Sequence, residues 1–345
     1  MYVEKNFGLV AILRFSGWYM IWITGWATIV AALHKFTPLG GFAIPWLPVS
    51  VIGTAVAFYI GFKNNQAYDR LWEARKIWGA IINSSRAWGS SVRAFVTDQF
   101  ADPAYAKTPL GEVHQRLIYR HIAWLYVLRN QLLIPTPWEH IAQGRYVGDL
   151  AEKRRSSYGI GLFDEGTIEA RMKQFLPDGE VDRLANAKNS ATQIIDAQAQ
   201  DLLTLRRQGL IEDFRHMELQ SLLNLLYDHQ GKAERIKKFP LPRQYGSMSS
   251  IFVGIFIFLL PFGMAGAFSA LGETGIWWSI PFTGLIGWVY MMMELVGDYS
   301  ENPFEGAGND IPMLNLCRVI EIDLREMLGE TDLPPAIEPV NGVLM

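Results

Sequence analysis

Cysteine is almost absent from this chain. Cys317 is the only one in 345 residues, which excludes an intramolecular disulfide and any Cys-pair metal site. Histidine is scarce as well. Six occur, and His114, His121, His216 and His229 fall at no spacing that sets two imidazoles on one helix turn, so they read as core or surface residues and no metal is expected. No Gly-rich phosphate loop appears, and serine, cysteine and histidine form no nucleophile–base pattern, so catalysis has no candidate residue and an enzyme is not expected. Net charge is −3, with no basic excess and no RNA- or DNA-binding motif, so nucleic acid is not an expected partner. Alternating β-branched runs of useful length are also missing outside the apolar segments, which leaves an all-α class.

Charge itself is missing from four long stretches, residues 15–33, 42–62, 251–271 and 276–293. About 20 uncharged residues suffice to cross a hydrocarbon core roughly 30 Å thick at about 1.5 Å per residue. The four pair into two hairpins through the short loops Gly40-Gly41 and Gly272-Glu273-Thr274-Gly275. The mean hydropathy of +0.10 is modest for a membrane protein because apolar ends flank a polar middle. The first stretch is too long for a signal peptide and precedes no cleavage site.

Lys63, Arg70, Arg75 and Lys76 follow the second span, and Lys232, Arg235, Lys237, Lys238 and Arg243 precede the third, whereas the hairpin loops carry only Lys35. This asymmetry predicts a multi-pass protein of the plasma (inner) membrane with both termini and the middle segment cytoplasmic. The segments expected are 1–78 with the first two spans, a helical cytosolic region 79–243, the second pair of spans 244–294, and a C-terminal helix with an extended tail, 295–345.

Within the middle region, residues 116–133 place Leu117, Ile118, His121, Trp124, Leu125 and Leu128 on one stripe, which predicts an amphipathic helix. Arg116, Arg120 and Arg129 interrupt it, and at about 2.5–3.5 kcal/mol per Arg on insertion scales it is not a span. Gly209 and Gly231 are expected to cap two later helices, Pro177-Asp178-Gly179 to form a turn, and the proline-bearing tail 329–345 to be disordered or laid along a neighbour. Asp69, Arg70, Glu73, Arg75 and Lys76 have i, i+3 and i, i+4 spacings suited to ion pairs. Gly263, Gly266 and Ala267 suit close helix packing beside a kink at Pro261. Glu294 reads as a helix-end or subunit contact.

The second span runs into Gly61-Phe62-Lys63-Asn64-Asn65 and then Tyr68-Asp69-Arg70-Leu71-Trp72-Glu73-Ala74-Arg75. This run resembles the second-helix signature of the bestrophin channels, their bacterial branch above all. Glu218-Leu219-Gln220-Ser221-Leu222-Leu223-Asn224 and Glu294-Leu295 with Glu301-Asn302-Pro303-Phe304-Glu305 match further patches in the family's order, from about residue 7 to 328.

The resemblance implies a homopentamer in the lipid bilayer with one central pore, conducting small monovalent ions and needing no cofactor. By position, the pore neck and gate fall on Thr54, Phe58 and Phe62, and the cytosolic aperture on Met217. The i, i+4, i+8 spacing of the three neck residues puts them on one helix face by itself. Arg215, His216, Glu212, Asp213 and Glu218 flank the aperture, and sequence leaves open which of them faces the pore. Chloride or other small anions are the family-level expectation. A Na⁺/K⁺ channel of the same fold and a non-conducting membrane scaffold are the alternatives, with a coupled transporter ranked below them because the spans hold no ionisable residue. Ca²⁺-activated members carry a dense acidic run where this chain has only Glu305 and Asp310, too few for six to eight oxygen ligands, so activation by Ca²⁺ at this place is not expected.

Overall fold

A computed structural model describes residues 1–38, 44–99, 101, 103–105 and 109–345. The Gly40-Gly41 loop and Phe42 lie outside them. The described residues contain no strand, only isolated bridges from Val343 to Tyr2 and to Val340. Eleven α-helices run in order among them: α1 Leu9–Phe36, α2 Trp46–Phe95, α3 Leu110–Leu133, α4 Arg145–Tyr158, α5 Ile168–Lys173, α6 Asp178–Ala185, α7 Ser190–Arg207, α8 Asp213–Lys238, α9 Arg243–Ser269, α10 Gly275–Asp298 and α11 Met313–Met327. Four helical stretches are long and apolar enough to cross a membrane: Leu9–Phe36, Trp46–Phe95, Asp213–Ser269 and Gly275–Asp298. The third comprises α8 and α9, and its uncharged part lies in α9.

The chain divides into two compact units that cut across the expected segments. One gathers residues 4–71 and 240–301, and the other residues 1–3, 72–239 and 302–345. In the first, the span unit, Ile23 of α1, Val49, Val56 and Ile60 of α2, and Val253, Phe256, Ile257, Leu260 and Met264 of α9 form one buried cluster. Small residues let these helices approach. A Cβ on Gly53 would lie 2.7 Å from the Phe256 ring, and one on Gly287 2.8 Å from Ile23. A Cβ on Gly263 would lie 3.1 Å from Val49 and 3.3 Å from Trp46, whereas Ala267 is exposed. Both α9 and α10 continue as helix through an internal proline, Pro261 and Pro281. The Trp288 indole donates to Ser16 Oγ at 3.0 Å and the Tyr290 hydroxyl to the Gly53 carbonyl at 3.0 Å, so polar ends of aromatic side chains join the helices where water is excluded. Trp18, Ile21, Trp22, Ile29, Trp278, Phe282 and Leu285 remain exposed, as expected where lipid is the solvent.

The second, polar unit is built around α3, and here one expectation fails. From Leu117 to Leu133 nearly every residue of α3 is buried, Arg120 and Arg129 included, rather than a single stripe. The charges are tolerated because each is matched. Arg120 meets Glu180 at 3.1 Å and Asp201 at 2.8 Å, and Arg129 takes Glu165 in a two-pronged pair at 2.5 and 2.6 Å. His121 Nε2 lies 2.9 Å from Ser85 Oγ, and Trp124 Nε1 donates to Gln230 at 3.0 Å. Burial pushes the His121 imidazole down to about 3, so it sits neutral in the core.

Three further expectations are corrected. Gly209 ends α7 with φ +74°, but Gly231 lies inside α8, which runs on to Lys238. Pro177-Asp178-Gly179 opens α6 instead of forming a turn, with Pro177 as its N-terminal flank and Asp178 and Glu180 in the first turn, where negative charge is favoured. The tail is non-helical but lies on its own unit: Arg318 donates to the Pro335 carbonyl at 2.9 Å, Asn315 N to the Met345 carbonyl at 2.6 Å, and Val343 and Met345 are buried.

Burial alone would raise the Asp201 carboxyl, but hydrogen bonds and charge from Arg116 and Arg120 hold it below its ordinary value. A depressed carboxylate contributes stability above its unfolded value, about 3.9, and loses it as pH falls through the folded value. Arg120→Met should therefore lower stability by about 2–4 kcal/mol at pH 7, between the limits for exposed and fully buried pairs. Thermal unfolding of the detergent-solubilised protein should show this deficit shrinking once pH falls below about 4.

Candidate ion pathway

Within the span unit, α2 buries Val49, Gly53, Val56, Ile60, Lys63 and Ala67. That spacing of four, three, four, three and four is one face of a helix. At about 100° per residue, Thr54, Phe58 and Phe62 point the opposite way, centred about 180° from the packed face. All three are exposed, Phe58 at 70% and Phe62 at 62%. The two rings stand 6.1 Å apart between centroids. The Thr54 hydroxyl donates to the Ser50 carbonyl at 3.0 Å, so its hydrogen is used within the helix. The three side chains form a ladder with about 6 Å between rungs, apolar at two of them.

The orientation of this ladder is fixed by residues that sequence reasoning did not single out. Lys63 opens the run of basic residues after the second span, where a lysine ordinarily reaches for water. Instead it is 1% exposed, and its ammonium lies 2.6 Å from Glu294 and 3.7 Å from Asp298 of α10. Ser249 of α9 donates to the same Glu294 oxygen at 2.8 Å. Glu294 is thus the interior partner of Lys63. The neighbouring Asn64 donates to the Met293 carbonyl at 3.0 Å, and a Cβ on Gly297 would fall 2.1 Å from the Asn64 side-chain oxygen. Lys63-Asn64 therefore joins α2 to α10, and Gly297 permits the approach. The only advance signal was positional: Lys63 is the first base after the second span and Glu294 the first acid after the fourth.

Met217 belongs to the polar unit, near the start of α8, and is 67% exposed; Phe214, three residues earlier, is 76% exposed. Among its charged neighbours, Arg215 donates to Thr97 Oγ1 at 3.2 Å, and Asp213 pairs with Arg206 at 2.5 Å. Glu218 is exposed. Farther down α2, Lys76 pairs with Glu73 at 2.5 Å, while the Arg75 guanidinium lies 5.7 Å from the centre of the Trp72 ring. The expected ion-pair ladder is therefore partly replaced by a cation–π contact.

The segment after Asn302-Pro303-Phe304 is closed upon itself. Glu305 holds His140 Nδ1 at 3.0 Å and the Ile141 amide at 3.2 Å. Asp310 accepts the Gly306 and Ala307 amides at 2.7 and 3.0 Å, and burial, with Glu305 nearby, pushes its carboxyl up to about 7. Lys237 adds a buried ion pair with Glu139. Among the described residues no group of three His, Cys, Asp or Glu stands placed to hold a metal ion.

The family model described as Bacterial/Fungal Bestrophin protein matches residues 17–326. A voltage-dependent anion channel-forming protein of Mesorhizobium japonicum is 26% identical over 315 residues, covering 91% of this chain and 84% of that relative. The voltage-dependent anion channel-forming protein YneE of Escherichia coli K12 is 25% identical over 309 residues, 86% of this chain and 85% of its own length. Among solved structures, a bacterial bestrophin homologue from Klebsiella pneumoniae superposes with a TM-score of 0.72 at 20% identity, covering 91% of this chain and 98% of its own. Four membrane-length helices, the outward-facing ladder on α2 and a match over most of the sequence converge on one statement: this chain belongs to the bacterial/fungal bestrophin family.

Proposed function

We propose that this protein is a passive ion channel of a bacterial inner membrane, conducting chloride and other small monovalent anions through the axis of a homopentamer. The observation that carries the reading is the α2 ladder. Two large aromatic side chains and one threonine stand in register on a helix face that the protomer leaves unpacked. A closed ring of copies is the ordinary way to cover such a face on every subunit at once. Five Phe58 and five Phe62 rings around an axis form constrictions that exclude water when narrow and pass hydrated ions when they widen. Thr54 makes the outer end of the neck wetter. Relatives named as voltage-dependent anion channel-forming proteins support both the anion preference and a response to membrane potential.

In this reading both termini and the polar unit are cytoplasmic, as the basic residues beside the spans require. Met217 forms a second, cytosolic aperture. A methionine ring is soft and carries no charge, so it filters by size and dehydration, and the sign of the permeant ion is set elsewhere along the pore.

In planar bilayers under a KCl gradient, the reversal potential of the purified protein should move toward the chloride potential. Movement toward the potassium potential would make it a cation channel of the same fold. Phe58→Ala should raise open probability about tenfold, equivalent to about 1.4 kcal/mol off the dewetting barrier, and unchanged currents would remove Phe58 from the gate. Met217→Ala should shift relative permeability among ions of different size while leaving open probability near wild type. A change in gating alone would separate Met217 from the aperture. Chemical cross-linking should stop at five subunits.

A further inference from the structure

The neck is apolar, yet the helix that forms it becomes charged immediately below, and the two nearest charges on α2 have opposite fates. Lys63, one residue past Phe62, is turned into the protomer and neutralised by Glu294 at 2.6 Å. Asp69 is exposed and makes no ion pair or hydrogen bond among the described residues. At about 100° per residue it lies about 20° from the direction of Phe58, with Asn65 between them on the same line. Seven residues at about 1.5 Å each put it about 10 Å beyond Phe62 along the helix. Arg70 is half-buried and about 100° farther round. Farther along the same helix, Lys76 is already paired with Glu73.

We infer that Asp69 supplies the ring of carboxylates closest to the neck, and that this ring lowers the anion preference the pore would otherwise have. The inference rests on the pore reading of Thr54, Phe58 and Phe62. It deepens that reading by assigning the sign of the first uncompensated charge an ion meets on the inner side of the constriction. Lys63, the basic residue nearest the neck, does not perform this task, because its charge is held inside the subunit. A unit charge about 10 Å away in water changes the local concentration of a monovalent ion about twofold, and charges in a ring add to one another.

The test uses the full-length protein in planar bilayers. Asp69→Asn, an exposed and nearly isosteric change, should raise the chloride-to-potassium permeability ratio at least about twofold at 0.1 M salt. The effect should fade toward 1 M, where the Debye length is about 3 Å. Asp69→Glu should behave as wild type. A second measurement exploits the single native thiol, which is buried at Cys317. In Asp69→Cys, a sulfonate-bearing methanethiosulfonate should restore the wild-type ratio, and a trimethylammonium-bearing one should push it farther toward chloride. An unchanged ratio in Asp69→Asn, or no reaction at Asp69→Cys, overturns the inference while leaving the neck intact if Phe58→Ala still raises the current. If Phe58→Ala also leaves the current unchanged, the neck reading falls and the inference falls with it.

Discussion

Lys63 and Glu294 meet 2.6 Å apart in the interior of the span unit, with Ser249 donating to the same carboxylate. Removing Lys63 would leave the Glu294 carboxylate buried without a counterion, at a cost of about 3–5 kcal/mol, and removing Glu294 would leave the ammonium only Asp298, 3.7 Å away. The pair therefore acts as a rotational register. Turning α2 by one residue, about 100°, would carry Lys63 off its acid and bring Phe58 toward the α9 core. The close contacts above it reinforce the setting, since Gly53 admits the Phe256 ring and Gly297 admits Asn64 only in this rotation. The outward aim of Thr54, Phe58 and Phe62 is thus a consequence of what α2 buries on its other side. Nothing in the three residues themselves would hold them there.

A similar logic operates in the polar unit. A helix buried on all sides needs no stripe, but its polar atoms must all find partners. α3 largely meets this with Arg120, His121, Trp124 and Arg129, each answered from a different segment, Glu180 and Asp201, Ser85, Gln230, and Glu165, although the Arg129 Nε is left without a partner. A charged network of this kind contributes less net stability than an apolar core of equal volume. What it does supply is a specific alignment of α3 with α2, α7 and α8 within that unit. The loop that carries Glu305 and Asp310 is ordered in the same way, its carboxylates occupied by backbone amides and His140.

How much of this was legible follows from where each residue's partner lies. The spans were legible because lipid imposes one local rule, and among the described residues most of each uncharged stretch falls within a helix of membrane length. The ladder of Thr54, Phe58 and Phe62 was legible as a helix face because its periodicity is local, and the proposal that it forms a pore neck comes from the family resemblance. The burial of α3 was not, since Glu180 and Asp201 lie 60 and 81 residues beyond Arg120, and three arginines in a row of apolar residues look the same on a surface. Gly231 failed as a helix end because a glycine between polar neighbours carries the same signal inside a helix as after one; only φ tells them apart, positive at Gly209 and not at Gly231. Lys63 was misread for a related reason. A lysine directly after a span ordinarily reaches for water, and nothing within its own helix reveals that an acid waits at the same depth on α10.

That misreading bears on how such a pore would choose its ions. An apolar constriction has no sign, so charge selectivity is decided by whichever fixed charges reach the permeating ion without a counterion of their own. Counting basic residues after the second span would suggest a positive inner mouth. The pairings reduce that count: Lys63 is cancelled by Glu294 and Lys76 by Glu73, while Arg75 lies over Trp72 and keeps its charge. Asp69 keeps an exposed negative charge free of an ion pair among the described residues. A channel built this way can favour anions only if positive potential from elsewhere in the ring exceeds that of the Asp69 carboxylates. Its selectivity would then be a modest difference between opposing fields, and sensitive to salt, rather than the work of one strong binding site.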